Sequence, residues 1–264
     1  MTEISFVDTH THLDGEQFSD DLDDVIAEAV RVGVTTFINI GCDPKRWLAT
    51  PALAARDPRI AYTLGLHPTS TDEWSMESFA VLRELVLSSE PVAIGEIGLD
   101  YYWTDKNKAE QRASFEAQID LALEVDLPIV IHQRSAAEDV HDVLASSPDG
   151  LRAVLHSFDG DRKLGALARE RGWLVGAGGL MTRRQNADLR TMLQSFPLDQ
   201  IVLETDSPYL VPSGLKQSRN TPSSIPLIAE RLAGLLGREV AEIAEETTAN
   251  AFRFFGIKIA AVSR

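Results

Sequence analysis

Six histidines are spread through the 264 residues, and five of them stand inside or just after short apolar runs. His10 and His12 follow SFVDT, His67 follows IAYTLGL, His132 ends PIVIH and His156 ends RAVLH; only His141 falls elsewhere, in a helical stretch. Two carboxylates share this setting, Glu96 within VAIGEIG and Asp206 after IVLET. Imidazole and carboxylate groups in one place are ligands for a divalent cation. His10 and His12 are two residues apart, so on an extended strand both side chains leave on one face. A carboxylate inside an apolar run needs a partner, because burying it unpaired costs several kcal/mol.

His10, His12, His132, His156, Glu96 and Asp206 are too many ligands for one zinc site with an open position. They suit two cations about 3.5–4 Å apart that share a carboxylate and activate a bridging water. Glu96 is the expected bridge, since it falls in chain order between the His10/His12 pair and the His132/His156 pair. Asp206 is the expected group to orient the nucleophile or take its proton, and Glu204, two residues earlier, is expected to support it. The imidazole-rich set suits zinc, manganese or iron.

These residues need elements to hold them. Eight near-continuously apolar runs, at residues 4–9, 35–41, 60–65, 92–98, 128–132, 152–156, 173–178 and 201–205, read as buried parallel strands. Between them lie stretches such as DLDDVIAEAVRVG and DRKLGALARERG, with apolar residues at three- and four-residue spacing, as amphipathic helices require. Strand and helix alternating eight times predict a single (β/α)8 TIM barrel over residues 1–264. In that architecture the C-terminal strand ends converge on one rim, where the active site sits. A long Pro/Ser-rich connection, residues 208–224, follows the last strand, and helices are expected from Pro222 and from about Glu239.

A net charge of −15 argues against a broad basic surface that would hold duplex nucleic acid. It does not exclude an anionic substrate, because a bound divalent cation overrides the global sign locally. Cationic residues do fall in loops expected on the catalytic rim: Arg134, Arg183, Arg184, Lys216 and Arg219. Arginine's planar fork suits phosphate, so Arg134 and Arg219 are expected substrate contacts. His67 is expected to touch a substrate phosphate or hydrogen-bond behind the ligands. Tyr101, Tyr102 and Trp103 offer rings for stacking a nucleobase or for loop packing. Cys42 is the single cysteine, which excludes an internal disulfide and reads as a small buried residue. The start MTEISFVDTH is unlike a signal peptide, and no run reaches the ~18 apolar residues of a membrane span. The expected compartment is the cytoplasm, with no membrane partner. The oligomeric state is unspecified and a monomer is compatible.

DTHTHLD (8–14), GLHP (65–68), GEIGLDYY (95–102), LPIVIHQR (127–134), LHSFDG (155–160), ETDSPYLVP (204–212) and RNTP (219–222) form an ordered series over nearly the whole chain. With this series the chain resembles the TatD family of metal-dependent deoxyribonucleases, within the amidohydrolase-like barrels. The resemblance implies that His10, His12, Glu96 and Asp206 hold one metal and that Glu96, His132 and His156 hold the other. It also implies phosphodiester hydrolysis, often from a 3′ end of single-stranded DNA, with magnesium or manganese. Thr69 stands where the family often has a second histidine, and HSFDG replaces the usual HCFSG, bringing Ser157 and Asp159. Because fold does not fix chemistry, an ester or amide hydrolase such as a D-aminoacyl-tRNA deacylase, or a non-catalytic metal-binding barrel, stands as the alternative.

Overall fold

The computed structural model describes residues 4–103 and 107–257. Eight parallel strands form one sheet in chain order: β1 (Phe6–Thr11), β2 (Val34–Gly41), β3 (Ile60–Leu64), β4 (Ala93–Asp100), β5 (Ile129–Arg134), β6 (Ala153–Leu155), β7 (Leu174–Ala177) and β8 (Ile201–Leu203). Between and after them run α1 (Leu22–Arg31), α2 (Ala49–Arg56), α3 (Met76–Ser89), α4 (Lys108–Glu124), α5 (Ala137–Ala145), α6 (Arg162–Arg171), α7 (Ala187–Leu193), α8 (Ile225–Leu236) and α9 (Val240–Phe255). This is the (β/α)8 barrel that the alternation predicts.

The ring closes just past the end of β8. The Asp206 amide donates to the His10 carbonyl at 2.9 Å, and the His12 amide donates to the Ser207 carbonyl at 2.8 Å. Side chains add to the seam. The Thr9 hydroxyl donates to the Leu203 carbonyl, and the buried Asp8 carboxylate accepts from the Thr205 amide and hydroxyl at 2.9 and 2.6 Å. Several boundaries differ by a residue or two from the sequence expectation, and those of β1 and β8 bear on the seam. β1 runs on to Thr11, so His10 lies within the strand and His12 one residue beyond it; β8 stops at Leu203, so Glu204 and Asp206 lie on the turn that follows. Asp206 has φ 57°, which a regular strand does not accommodate.

The helices follow from their patterns. α1 buries Val25, Ile26 and Ala29 on one face and exposes Asp23 and Asp24 at its start. α6 begins where the Asp161 carboxylate accepts the Lys163 and Leu164 amides, and it ends at Gly172 in the left-handed conformation. A smaller core of Val7, Ile38, Ala93, Val130, Val154, Leu174 and Val202 fills the barrel interior, and Ala251 and Phe255 of α9 pack with it. Most of these residues stand early in their strands. The Asn250 side chain donates to the Leu198 and Ile201 carbonyls, so α9 stoppers the N-terminal end of the barrel. The opposite mouth is left to polar groups. Among the described residues, no helix is long and apolar enough to cross a membrane.

Candidate metal centre

Two irregularities aim the central side chains. β4 pairs Gly95 with Val130 and Ile97 with Ile131, leaving Glu96 as an extra residue on a bulge. β1 pairs Asp8 with Phe37 and Thr11 with Asn39, so it too carries one extra residue, beside His10. A bulge breaks the strict alternation of a strand and re-aims one side chain. Gly95 has φ 157°, and a Cβ there would stand 2.7 Å from the Val130 side chain.

The buried Glu96 carboxylate is the hub. Its Oε2 lies 3.2 Å from His10 Nε2; its Oε1 lies 2.6 Å from His132 Nδ1, 3.7 Å from His67 Nε2 and 3.8 Å from His156 Nε2. Burial opposes its ionisation, but His156, His10 and His67 outweigh burial and hold the carboxyl well below the usual carboxylate range. Asp206 faces the hub from the seam, with Oδ1 3.3 Å from His12 Nε2 and 3.8 Å from both His10 and His156 Nε2. The ligand atoms gather as three overlapping triplets: His10, Glu96 and His156; His10, His12 and Asp206; His67, Glu96 and His132. His132 and His156, expected on one cation, thus fall in different triplets.

Two of the imidazoles, His156 and His132, are oriented from behind by carboxylates. His156 Nδ1 meets Glu204 Oε2 at 3.1 Å, while Glu204 Oε1 accepts the Ser157 amide at 2.6 Å. This turns His156 Nε2 towards Glu96 and Asp206. Gly176 on β7 makes room for it, since a Cβ there would stand 2.2 Å from Glu204 Oε2. Burial lowers the pKa of His156, but Glu204 and Glu96 prevail and raise it to about 10. His132 sits between Glu96 and the Oδ2 of Asp100, the latter 3.0 Å from Nε2, and these carboxylates raise it to about 9 against the effect of burial. Burial lowers the pKa of His10, and His156 adds to the effect.

His67 is fixed differently. Its Nδ1 accepts the Thr69 amide at 3.2 Å and lies 2.7 Å from the Thr69 hydroxyl. A neutral imidazole whose Nδ1 accepts carries its proton on Nε2. In that tautomer the N–H faces Glu96, 3.7 Å away, and His67 is set to donate. Thr69, where the motif departs from the family pattern, is the residue that sets this tautomer.

Asp100 escaped the sequence reading, as did Asp8. Beyond His132, Asp100 Oδ1 accepts the Tyr102 and Trp103 amides at 2.9 and 3.3 Å, so one buried carboxylate ties the aromatic loop to the centre. The signal available was its place in GEIGLD, four residues after Glu96 at the end of the same run. Tyr102 and Trp103 are exposed, and the Arg134 guanidinium lies 3.7 Å above the Tyr102 ring. Tyr101 turns away and donates to Asp139 at 2.7 Å. Arg219 is spent internally: it pairs with Asp21, donates to the Gln17 carbonyl and covers the Phe18 ring. Asp159 is likewise occupied, accepting from the Gln133 side chain and the Asp161 amide. Cys42 is buried and unpaired within the interior core.

The donor set suits hard or borderline divalent cations. The decisive observation is His10: it is wholly buried, yet neither ring nitrogen has a hydrogen-bond partner, and its Nε2 points at two carboxylates. A buried polar group without a partner is rare in a native fold and calls for an ion or a water.

A family model described as TatD related DNase matches residues 7–256. This chain belongs to the TatD family. The "Uncharacterized metal-dependent hydrolase YabD" of Bacillus subtilis is 34% identical over 251 residues, covering 95% of this chain and 98% of that protein. The "3'-5' ssDNA/RNA exonuclease TatD" of Erwinia tasmaniensis is 34% identical over 257 residues, covering 95% of this chain and 99% of that one. Among solved structures, YJJV, a TatD homologue of Escherichia coli K12, shares 28% identity and superimposes with a TM-score of 0.90 over 96% of this chain and 98% of its own. As a TatD-family member, the protein is a metal-dependent hydrolase.

Proposed function

We propose that this protein hydrolyses phosphodiester bonds of single-stranded nucleic acid from the 3′ end, with two divalent cations, magnesium or manganese before zinc. The observation that carries the metal requirement is the unpartnered His10 facing Glu96 and Asp206. The nucleic-acid substrate is read from the naming of relatives as 3'-5' ssDNA/RNA exonucleases.

His10, His12 and Asp206 would hold one cation, and Glu96 with His132 and His156 would hold the other. Glu96 touches both groups. Bound there, divalent cations supply Lewis acidity and lower the pKa of water towards neutrality. Asp206, flanked by three imidazoles at the open side of the pocket, orients the attacking water and accepts its proton. Glu204 keeps His156 pointed inward by accepting at Nδ1, the carboxylate–histidine pattern found behind metal ligands. The His67 Nε2–H is placed to donate to a phosphate oxygen or to Glu96. Arg134, held over one face of Tyr102, supplies a cation for the backbone, and the exposed Tyr102 and Trp103 are available to stack a base. Arg219 acts as a tie between the loops after β8 and β1, and would have to leave Asp21 to reach a phosphate.

All these groups come from one chain, which is compatible with a monomer and with one catalytic domain over the whole chain. A buried, unpaired Cys42 fits a reducing cytoplasm.

The test is a time course on single strands labelled at either end, with magnesium, manganese or zinc, beside a D-aminoacyl-tRNA. The expected result is a ladder shortening from the 3′ end. Release of the amino acid without any phosphodiester cleavage would transfer the site to the deacylase reading.

A further inference from the structure

A cleft of about 370 Å³ opens between the loops that follow β7 and β8 and the helices α7 and α8, lined by Arg184, Arg190, Arg231, Ser213, Met181 and Leu235 among others. Its three arginines stand out in a chain of net charge −15. Among the described residues, the arginine–carboxylate pairs are made by other arginines, and none of these three takes part. A cluster of cations without counter-charges repels itself and concentrates anions.

The three do not play the same part. Arg190 donates to the Met181 and Arg183 carbonyls at 3.1 and 2.7 Å and to the Arg184 carbonyl at 3.0 Å. It is therefore the strut of the loop after β7. Thr182 joins that loop to the next one: its hydroxyl donates to the Gly179 carbonyl at 2.6 Å and accepts the Ser213 amide at 2.8 Å. With the walls tied in this way, Arg184 and Arg231 remain exposed, with no side-chain partner among the described residues.

The cleft belongs to the same rim as the metal centre. Ser213 is seven residues from Asp206 in the chain, which bounds their separation at roughly 25 Å even for extended backbone. A strand whose end lies at Asp206 has this cleft within reach of its following phosphates.

We propose that the Arg184–Arg231 cleft is an anion-binding exosite that takes a backbone phosphate of the single strand being cut, several nucleotides from the scissile bond. The proposal rests on the nuclease reading of the metal centre. Substrate length separates the two: a dinucleotide fills the centre without reaching the cleft, whereas a longer strand fills both.

The test is the R184A/R231A double variant, which leaves the Arg190 strut intact, with its melting temperature compared with that of the wild type. For a strand of about 20 nucleotides, KM is expected to rise about tenfold with kcat unchanged, while dinucleotide cleavage stays within about twofold of wild type. In an Asp206→Asn background, binding of a fluorescent strand should lose about 0.7 from the slope of log affinity against log salt, since one phosphate contact contributes about 0.7 for single strands. Unchanged long-strand KM and salt slope would overturn the exosite while leaving the nuclease reading intact. An equal loss on the dinucleotide would also overturn it, by making the cleft part of the scaffold of the centre. A wild-type protein that cleaves neither substrate would bring down the nuclease reading and this proposal with it.

Discussion

Glu96 cannot be exchanged for an amide without changing what the pocket can hold. Its two oxygens separately face His10 and His132, and a glutamine in the same place presents one oxygen and one N–H. If Glu96 is the shared ligand proposed above, Glu96→Gln is expected to reduce bound metal below one equivalent by elemental analysis and to lower kcat/KM more than ~100-fold, exceeding the 10–100-fold typical of an outer-shell change. Glu204 lies one step behind, so Glu204→Gln should weaken metal affinity by roughly 10–100-fold without unfolding the protein. Gly176→Ala should reproduce that loss, because the added methyl would occupy the space of Glu204 Oε2. Metal titration of both variants checks the pair; a normal affinity in Gly176→Ala would show that Glu204 does not need its present position.

At the scale of elements, the strand-end turns carry the chemistry and the helix-to-strand turns carry stability. The turn from α2 into β3 is held by Arg59, whose guanidinium lies 2.5 Å from Asp57. The hydrogen bond from Arg59 depresses the Asp57 carboxyl below its ordinary 3.8. A depressed acid stabilises the fold above its unfolded pKa and loses that contribution as pH falls through its folded pKa. Arg59→Met should therefore cost about 0.2–1 kcal/mol near pH 7, with the deficit shrinking below about pH 4. Urea melts of the metal-free proteins at the two pH values measure it. Most of this layer was legible. The alternating runs located all eight strands and the helices between them, because buried parallel strands and amphipathic helices leave different periodicities. What escaped was the extra residue in β1 and in β4: a bulge is a relation between two strands, and neither strand's own pattern records its partner's register.

For the whole molecule, the barrel gathers buried imidazoles and carboxylates at one mouth. Among the groups there, His132 and His156 are held protonated by carboxylates in the metal-free protein, and binding a cation must displace those protons. Chelation should consequently lower the melting temperature, by the equivalent of about 2.7 kcal/mol for metal present at 100 times its dissociation constant. Calorimetry with and without EDTA checks it, and an unchanged melting temperature would mean that metal adds nothing to the fold.

The residue types, their order and their places at the ends of apolar runs were enough to determine the barrel and the family, and to single out His10, His12, Glu96, His132, His156 and Asp206 as the candidate ligand set. Periodicity and chemical type are local properties, written directly in the chain. Only the tertiary structure decided the rest: that Asp100 backs His132, that Thr69 holds His67 at Nδ1, that Arg219 is spent on Asp21, and that Arg184 and Arg231 share a cleft. Each of these is a pairing between loops distant in sequence or a direction of one side chain, and such facts exist only once the ring has closed and brought the strand ends within hydrogen-bonding distance.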